Sequence, residues 1–363
     1  MGITLDLRSA QPDAIHVGRS PLAELMSILH ILAEPDHHPE ARGWTRRLHS
    51  VLDTALANEM STLSPLWARL RCRLLFPLKP PLDQSFDTEL SLLEKLPQEE
   101  FVALCAAGIL GFHEAVPAPG TLLGDRGAAR DFVAQCERRA FRRGALAHEL
   151  VTAPDELRTR LVDFLHGCHG AFFESLWEAV YERTQPSVVR LRAELRQREP
   201  TEVLAQLSPT AVVSKDMARV RFDKLMIAEI RIGPRPLFLI PSVHGWPHLT
   251  VKDEAGYPVI VQFAALGDRA SEQISLRQLH ERLTALASPS RMELCRHLLG
   301  EPITTSELAR RLGMAESQVS RSLRQLRDAG LIESVRDGKY VYHRLATGTL
   351  LRLGQDVLAT IMR

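Results

Sequence analysis

Between Pro21 and Leu204 the apolar positions recur at helical spacing. Leu22, Leu25, Met26, Leu29 and Leu32 follow an i, i+3, i+4, i+7 pattern, and Leu48, Leu52, Ala55 and Leu56 continue it. Proline interrupts the region at Pro35, Pro39, Pro77, Pro80-Pro81, Pro97, Pro117, Pro119 and Pro154, which predicts several helices of ordinary length. Two short runs precede it, Ile3 to Leu7 and Ile15 to Val17, and read as edge strands. The pattern changes near Ser208. Val220 to Ile232, Leu237 to Val243, Leu249 to Lys252 and Val259 to Phe263 are rich in β-branched and apolar residues, with turn-prone Gly233-Pro234, Gly245-Trp246-Pro247 and Glu254-Ala255-Gly256 between them. These runs predict a small antiparallel sheet packed on the helical body. Asp268 to Ser275 is polar, lacks a core pattern and reads as a linker. The expected fold class is α+β: a helical body at 1–207 with short opening strands, a β segment at 208–268 in the same regulatory domain, and a separate module at 276–363.

The terminal module has the most specific local signals. Ser288-Pro289 places an N-cap residue before a proline at the first helical position, where its missing N–H costs nothing. Thr304-Thr305-Ser306-Glu307 reads as a capping box, in which Thr304 accepts the Glu307 N–H and the Glu307 carboxylate returns to the Thr304 N–H. The short helix it opens turns Leu308, Ala309 and Leu312 inward and stops at Gly313, a left-handed C-cap. Only Met314 and Ala315 separate it from a second helix, so the pair forms a helix-turn-helix. On that second helix Val319, Leu323 and Leu326 lie on one stripe. At about 100° per residue the opposite face carries Ser317, Arg321, Arg324 and Asp328, with Gln318, Ser320 and Gln325 beside it. Ser, Gln and Arg side chains are donors that read major-groove base edges and grip phosphates. Leu331 to Val335 and Tyr340 to Leu345 then read as a hairpin across Asp337-Gly338, the pair a type I′ turn prefers, with Arg336 and Lys339 at its tip. A basic-tipped hairpin behind a recognition helix is a wing placed to reach the phosphate backbone.

ALASPSR, SELARRLG, VSRSLRQLRDAGL and RDGKYVYHRL stand in this order and spacing, and the module resembles the winged helix-turn-helix of ArsR-type transcriptional regulators. The resemblance implies a homodimer that sets two recognition helices in successive major grooves of a double-stranded operator. It also implies that the first and last helices of the module pair the subunits, here through Leu279, Leu283, Leu350, Leu353, Val357, Leu358 and Ile361; packing within the domain is the alternative for the last helix. Metal sensors of the family carry cysteines in the first helix of the motif, where this chain has Ser306-Glu307-Leu308-Ala309-Arg310, so no metal or other cofactor is expected there. Ala315 replaces a frequent N-cap serine and Ser322 a frequent histidine, which leaves base preference and effector type open. The opening strands, RSPLAELMSILHILAEPDHHP and LFLIPSVHGWPHLTV are similar to an uncharacterised domain that precedes ArsR-type modules in actinobacterial regulators.

Charge supports the division. From Leu276 to Arg363 there are 14 Lys and Arg against 9 Asp and Glu, whereas the remainder has 31 against 35, a basic module on a mildly acidic body. Hydrophobic residues make up 45% and charged residues 25% of the 363, which argues against a disordered or collagen-like chain. The longest apolar run, Phe101 to Phe112, is too short for a membrane span, and the N-terminal stretch does not read as a secretory signal, so a cytoplasmic protein is expected. The five cysteines are odd in number, widely spaced and set among apolar residues; they read as small buried hydrophobes rather than disulfide or zinc partners.

Other candidate chemistry is weaker. His148-Glu149 opens a zinc-protease pattern that fails at Thr152, and no phosphate-loop, dinucleotide or nucleophile-elbow motif occurs. His166 and His169 could share a metal at i, i+3, although structural roles at helix ends are the favoured reading. His37-His38 before Pro39 reads as an exposed loop. The arginine-rich stretches Glu137 to Arg143 and Arg190 to Arg198 read as solvated helix faces. His244, Trp246 and His248 either line a pocket for an unknown small-molecule effector or form a packed hairpin corner. Together these readings favour a dimeric, sequence-specific transcriptional regulator, a repressor rather than an enzyme. The alternatives are an enzyme or a protein-interaction scaffold that uses the winged helix for recruitment.

Overall fold

The computed structural model describes residues 2–35, 38, 41–50, 52–68, 70, 72–111, 116–208, 210–224, 227–246, 248–265, 274–299, 302–337 and 340–361. The chain divides into two compact units, Met1–Ser271 and Glu272–Arg363. Most of the expected linker, Asp268 to Ser275, lies outside the described residues.

In the first unit β1 (Ile3–Asp6) and β2 (Ile15–Val17) open the chain. The helices α1 (Pro21–Ala33), α2 (Arg42–His49), α3 (Thr54–Leu63), α4 (Phe86–Glu94), α5 (Gln98–Leu110), α6 (Pro119–Gly124), α7 (Arg126–Glu137), α8 (Phe141–Thr152), α9 (Pro154–Cys168), α10 (Glu174–Glu194) and α11 (Pro200–Ala205) follow. The strands β3 (Val212–Val213), β4 (Arg219–Phe222), β5 (Ala228–Arg231), β6 (Leu237–Ser242), β7 (Thr250–Lys252) and β8 (Val259–Ala264) complete it. The strands make two sheets, ordered β3-β4-β1-β5 and β2-β6-β8-β7. Both are mixed, which corrects the antiparallel expectation. β1 pairs antiparallel with β4 but parallel with β5; β2, β6 and β8 are mutually parallel and β7 runs against β8. Connectivity is the reason: the whole helical stretch lies between β2 and β6, and a long crossover of this kind returns a strand in the same direction. β1 is interior to its sheet rather than at an edge, and the Val220 to Ile232 run splits into β4 and β5.

The second sheet is covered on both faces. Leu237, Leu239, Val259, Val261 and Phe263 enter a core shared with Leu5, Val220, Phe222 and the α10 residues Val188 and Leu191. Phe238, Ile240 and Ile260 enter the helical core with Trp67, Phe76 and Phe101. A strand buried on both faces loses its polar alternation, which is why β6 reads as one apolar run.

Helix α1 is the centre of this unit. Ser20 caps it by accepting the Ala23 N–H, Pro21 occupies its first turn, and its residues from Pro21 to Leu32 are all buried. The polar ones among them are matched individually, as burial requires. Gln262 Nε2 donates to Ala23 O at 3.0 Å and to Ser27 Oγ at 3.1 Å. Glu24 accepts the backbone N–H groups of Val243 and His244 at 3.2 and 3.0 Å, which seats the chain after β6 on the helix. Glu89 of α4 accepts from Ser20 Oγ at 2.8 Å and from Leu22 N at 3.0 Å. The five cysteines are all buried and free.

The second unit contains α12 (Leu276–Leu286), α13 (Pro289–Leu298), β9 (Ile303–Thr304), α14 (Thr305–Leu312), α15 (Glu316–Asp328), β10 (Ile332–Asp337), β11 (Tyr340–Leu345) and α16 (Thr347–Ile361). Its three strands are ordered β10-β11-β9, and a small core of Leu294, Leu298, Leu308, Val319, Leu323, Leu326 and Leu331 holds helices and sheet together. Among the described residues no helix of either unit is long and apolar enough to cross a membrane.

Candidate nucleic-acid interface

The turn between α14 and α15 is built by its glycine. Gly313 has φ 62°, and Met314 N bonds back to Ala309 O at 3.0 Å, closing α14 in a left-handed cap. Thr304 Oγ1 accepts the Glu307 N–H at 3.3 Å, but the expected box is only half made. The Glu307 carboxylate turns instead to Arg310 and Arg311, at 2.7 and 2.8 Å, and these guanidinium groups hold it at a pKa of about 2. Two arginines one turn away attract an exposed carboxylate more strongly than one backbone N–H. Ser288 likewise makes no cap bond to its helix.

Helix α15 then has the phase its sequence predicts. Val319, Leu323 and Leu326 are buried, and Leu331 N bonds to Leu326 O at 2.8 Å where Gly330, at φ 70°, ends the helix. Ser317, Gln318, Ser320, Arg321 and Arg324 are exposed. Arg321 Nε makes only a long contact, 3.4 Å, to Ser317 O. Gln325 is engaged by Arg291 Nη1 at 2.8 Å, which withdraws it from the outward face.

Beside α15, β10 and β11 pair from Ile332↔Leu345 to Asp337↔Tyr340. Asp337 is therefore a paired strand residue, which corrects its expected place at the centre of an Asp337-Gly338 turn. Arg336 is exposed, and Lys339 lies outside the described residues. His343 fixes the base of the hairpin: its Nδ1 meets Ser334 Oγ at 2.8 Å and its Nε2 meets Thr305 Oγ1 at 3.2 Å, tying β11 to the first residue of α14. Burial, and secondarily the charge of Arg327, pushes the His343 pKa down, which favours the neutral imidazole.

The expected subunit-pairing residues divide into two groups. Leu279 is buried within the chain and Leu350 packs on the domain core, whereas Leu283, Leu358 and Ile361 are exposed and Leu353 and Val357 are half-buried. Arg282 Nη1 and Asp356 Oδ2, 2.7 Å apart, hold α12 against α16 so that the exposed leucines sit on one pair of helices.

The remaining candidates lie in the first unit. His244 and His248 point to different partners: His244 Nδ1 is 2.7 Å from Glu24 Oε1 and its ring stacks on Trp44 at 5.1 Å, while His248 Nε2 is 3.1 Å from His30 Nε2. Trp246 is half-buried between them in sequence, with its indole N–H buried. His166 and His169 flank the Phe86 ring, His169 stacking on it at 4.3 Å, and no third ligand joins them among the described residues. His38 is fully buried, which corrects its reading as an exposed loop residue; His37 lies outside the described residues. The arginine-rich stretches are partly consumed by structure. Arg139 and Arg143 donate to Leu110 O and Ile109 O at the end of α5, and Arg192 donates to Val17 O and Asp83.

Comparison with known proteins agrees with this division. Residues 1–269 match a family described as "Family of unknown function (DUF5937)", and residues 286–335 match a helix-turn-helix domain model. Over 81 residues the chain is 36% identical to the transcriptional repressor SmtB homolog of Synechocystis sp., covering 22% of this chain and 61% of that one. Over 82 residues it is 35% identical to the HTH-type transcriptional regulator NmtR of Mycobacterium tuberculosis, covering 23% and 64%. The chain thus spans less than two thirds of the length of these relatives. An ArsR-like transcriptional regulator from Rhodococcus sp. RHA1 matches at 26% identity, 22% of this chain, 76% of that chain and a TM-score of 0.22. The chain belongs to the DUF5937 family and carries, behind that domain, a winged helix-turn-helix domain of the ArsR type.

Proposed function

We propose that the chain is a homodimeric, sequence-specific DNA-binding regulator of transcription that acts in the cytoplasm as a repressor, with the Met1–Ser271 unit sensing an effector or setting the geometry of the dimer. One observation carries the reading. Helix α15 buries Val319, Leu323 and Leu326 while exposing Ser317, Gln318, Ser320, Arg321 and Arg324 on its other side, and Arg324 makes no hydrogen bond or ion pair among the described residues. Long cationic side chains left in water on a rigid helix cost little in the free protein and supply bidentate donors to guanine and phosphate oxygens. Arg336, on β10, and Lys339, placed at the hairpin tip by the sequence reading, would grip backbone.

The reading separates two classes of variant. Arg336→Ala and Lys339→Ala are each expected to weaken binding to all duplex sequences alike and to reduce the salt slope by about 1, because each removes one phosphate contact. Gel-shift titrations on matched specific and random duplexes over a range of salt concentrations measure both quantities. An unchanged slope in both variants would remove the wing from the interface.

The dimer is supported by the exposed Leu283, Leu358 and Ile361 on α12 and α16. Replacing Leu358 and Ile361 together by glutamate places two charges against the expected partner surface. The molecular mass by light scattering should fall from twice the chain mass to once it, while the circular dichroism spectrum stays unchanged. A variant that stays dimeric would move the interface elsewhere.

A further inference from the structure

Three histidines from separate segments of the first unit meet in its interior. His30 comes from the last turn of α1, His38 from the chain after it, and His248 from the segment between β6 and β7. His30 and His38 are buried and His248 is half-buried. Their ring centroids are 4.9 to 5.5 Å apart, and one nitrogen from each lies within 4.8 Å of the other two. We propose that His30, His38 and His248 form a binding site for a divalent transition-metal ion of the zinc class.

The geometry argues for an ion over a chance cluster on two grounds. Imidazole nitrogens bind zinc at about 2.0–2.1 Å, so two of them on one tetrahedral ion stand roughly 3.3 Å apart. The 3.1 Å between His30 Nε2 and His248 Nε2 is already near that spacing, and a His38 nitrogen stands within 4.8 Å of both, to be drawn in when an ion binds. The second ground is the shell behind the cluster. His30 Nδ1 is 3.0 Å from Ala68 O, and a carbonyl oxygen only accepts. The His30 proton is therefore on Nδ1, which leaves the Nε2 lone pair facing the other two rings. A histidine ligand backed by a carbonyl in this way is oriented and made more basic for metal binding.

The supports on either side are equally fixed. Glu24, two turns before His30 on α1, binds Val243 N, His244 N and His244 Nδ1 and so anchors the segment that delivers His248. The donor set is three neutral nitrogens with no carboxylate or thiolate, which suits Zn2+, Co2+, Ni2+ or Cu2+ and not Mg2+ or Ca2+. Three histidines on a tetrahedral ion leave one position for water or an exogenous ligand. The site lies in the DUF5937 domain, in a different unit from the Ser306–Arg310 segment, and its existence is independent of whether the chain binds DNA.

The experiment uses the full chain, stripped of metal with a chelator and titrated with Zn2+ against a chromophoric competitor, and with Co2+ read by its visible absorption. One ion per chain is expected, with an intense tetrahedral Co2+ spectrum. His248→Ala should weaken the ion by about 100-fold or more, given that loss of a mere supporting contact costs roughly 10–100-fold. His166→Ala with His169→Ala should leave binding unchanged. His38→Ala serves as the second ligand variant, and X-ray absorption on the wild-type zinc form counts imidazole ligands without any substitution. Three imidazoles with sensitivity to His248 supports the site. Absence of stoichiometric binding overturns it, as does an ion that His248→Ala and His38→Ala leave in place, or one whose spectrum shows fewer than three imidazoles. In either of the first two cases the 3.1 Å contact is only a hydrogen bond between two histidines.

Discussion

Replacing Arg321 and Arg324 together by alanine is expected to abolish selective DNA binding and leave the fold intact. A base-reading arginine contributes about 1–3 kcal/mol of discrimination, so the pair is worth roughly 2–6 kcal/mol if the two contributions add. Both guanidinium groups are exposed on the face of α15 opposite Val319, Leu323 and Leu326. Surface changes of this kind alter stability by about 0.5 kcal/mol or less. Binding to a selected sequence should therefore drop toward the level of random duplex, with thermal unfolding unchanged. If the double variant discriminates between sequences as well as the wild type, α15 does not read bases.

The second large effect concerns pH and the first unit. Burial pushes the Glu89 carboxyl up to about 8, against the two hydrogen bonds from Leu22 N and Ser20 Oγ that favour its charged form. Its other oxygen, Oε1, is buried with no hydrogen-bond partner, which costs less on a neutral acid than on a carboxylate. The native state thus retains a proton that the unfolded chain gives up near the ordinary glutamate value. Stability from this group is fully present below that value and falls as pH rises toward 8, by an amount on the order of 3–5 kcal/mol. Urea unfolding followed by tryptophan fluorescence isolates the effect, since Trp44, Trp67, Trp177 and Trp246 all belong to the first unit. Glu89→Gln, neutral at every pH, should flatten the decline between pH 5 and pH 8 and be the more stable protein at the alkaline end. An equally steep decline in both proteins would mean that Glu89 ionises normally.

The contrast between the two units explains what the sequence could show. The winged helix was legible because its signals are local: Thr304 at an N-cap, Gly313 at a left-handed cap, and apolar residues at 319, 323 and 326 within one short helix. Its errors were small and also local. Glu307 chose two arginines over the Thr304 N–H, and Asp337 is paired in its strand instead of centring the turn. In the first unit the strands were visible as apolar runs, but their direction depends on where the chain returns after α1 to α11, and no residue pattern encodes that. The histidine cluster was hidden for a stronger reason. His38 beside His37 and Pro39 has the composition of a loop, and His248 is more than two hundred positions from His30. Glu24 was equally hidden, because a carboxylate on a helix reads as surface until a distant loop supplies its donors.

The most direct measurement is methylation interference at guanine N7 on a duplex selected by the purified chain from a random pool. N7 lies on the major-groove edge, where α15 is expected to enter. The account predicts two clusters of interfering guanines about one helical turn apart, both lost from the pattern when Arg321 and Arg324 are alanine. Selection of no sequence, or a selected sequence whose binding is indifferent to N7 methylation, would contradict it.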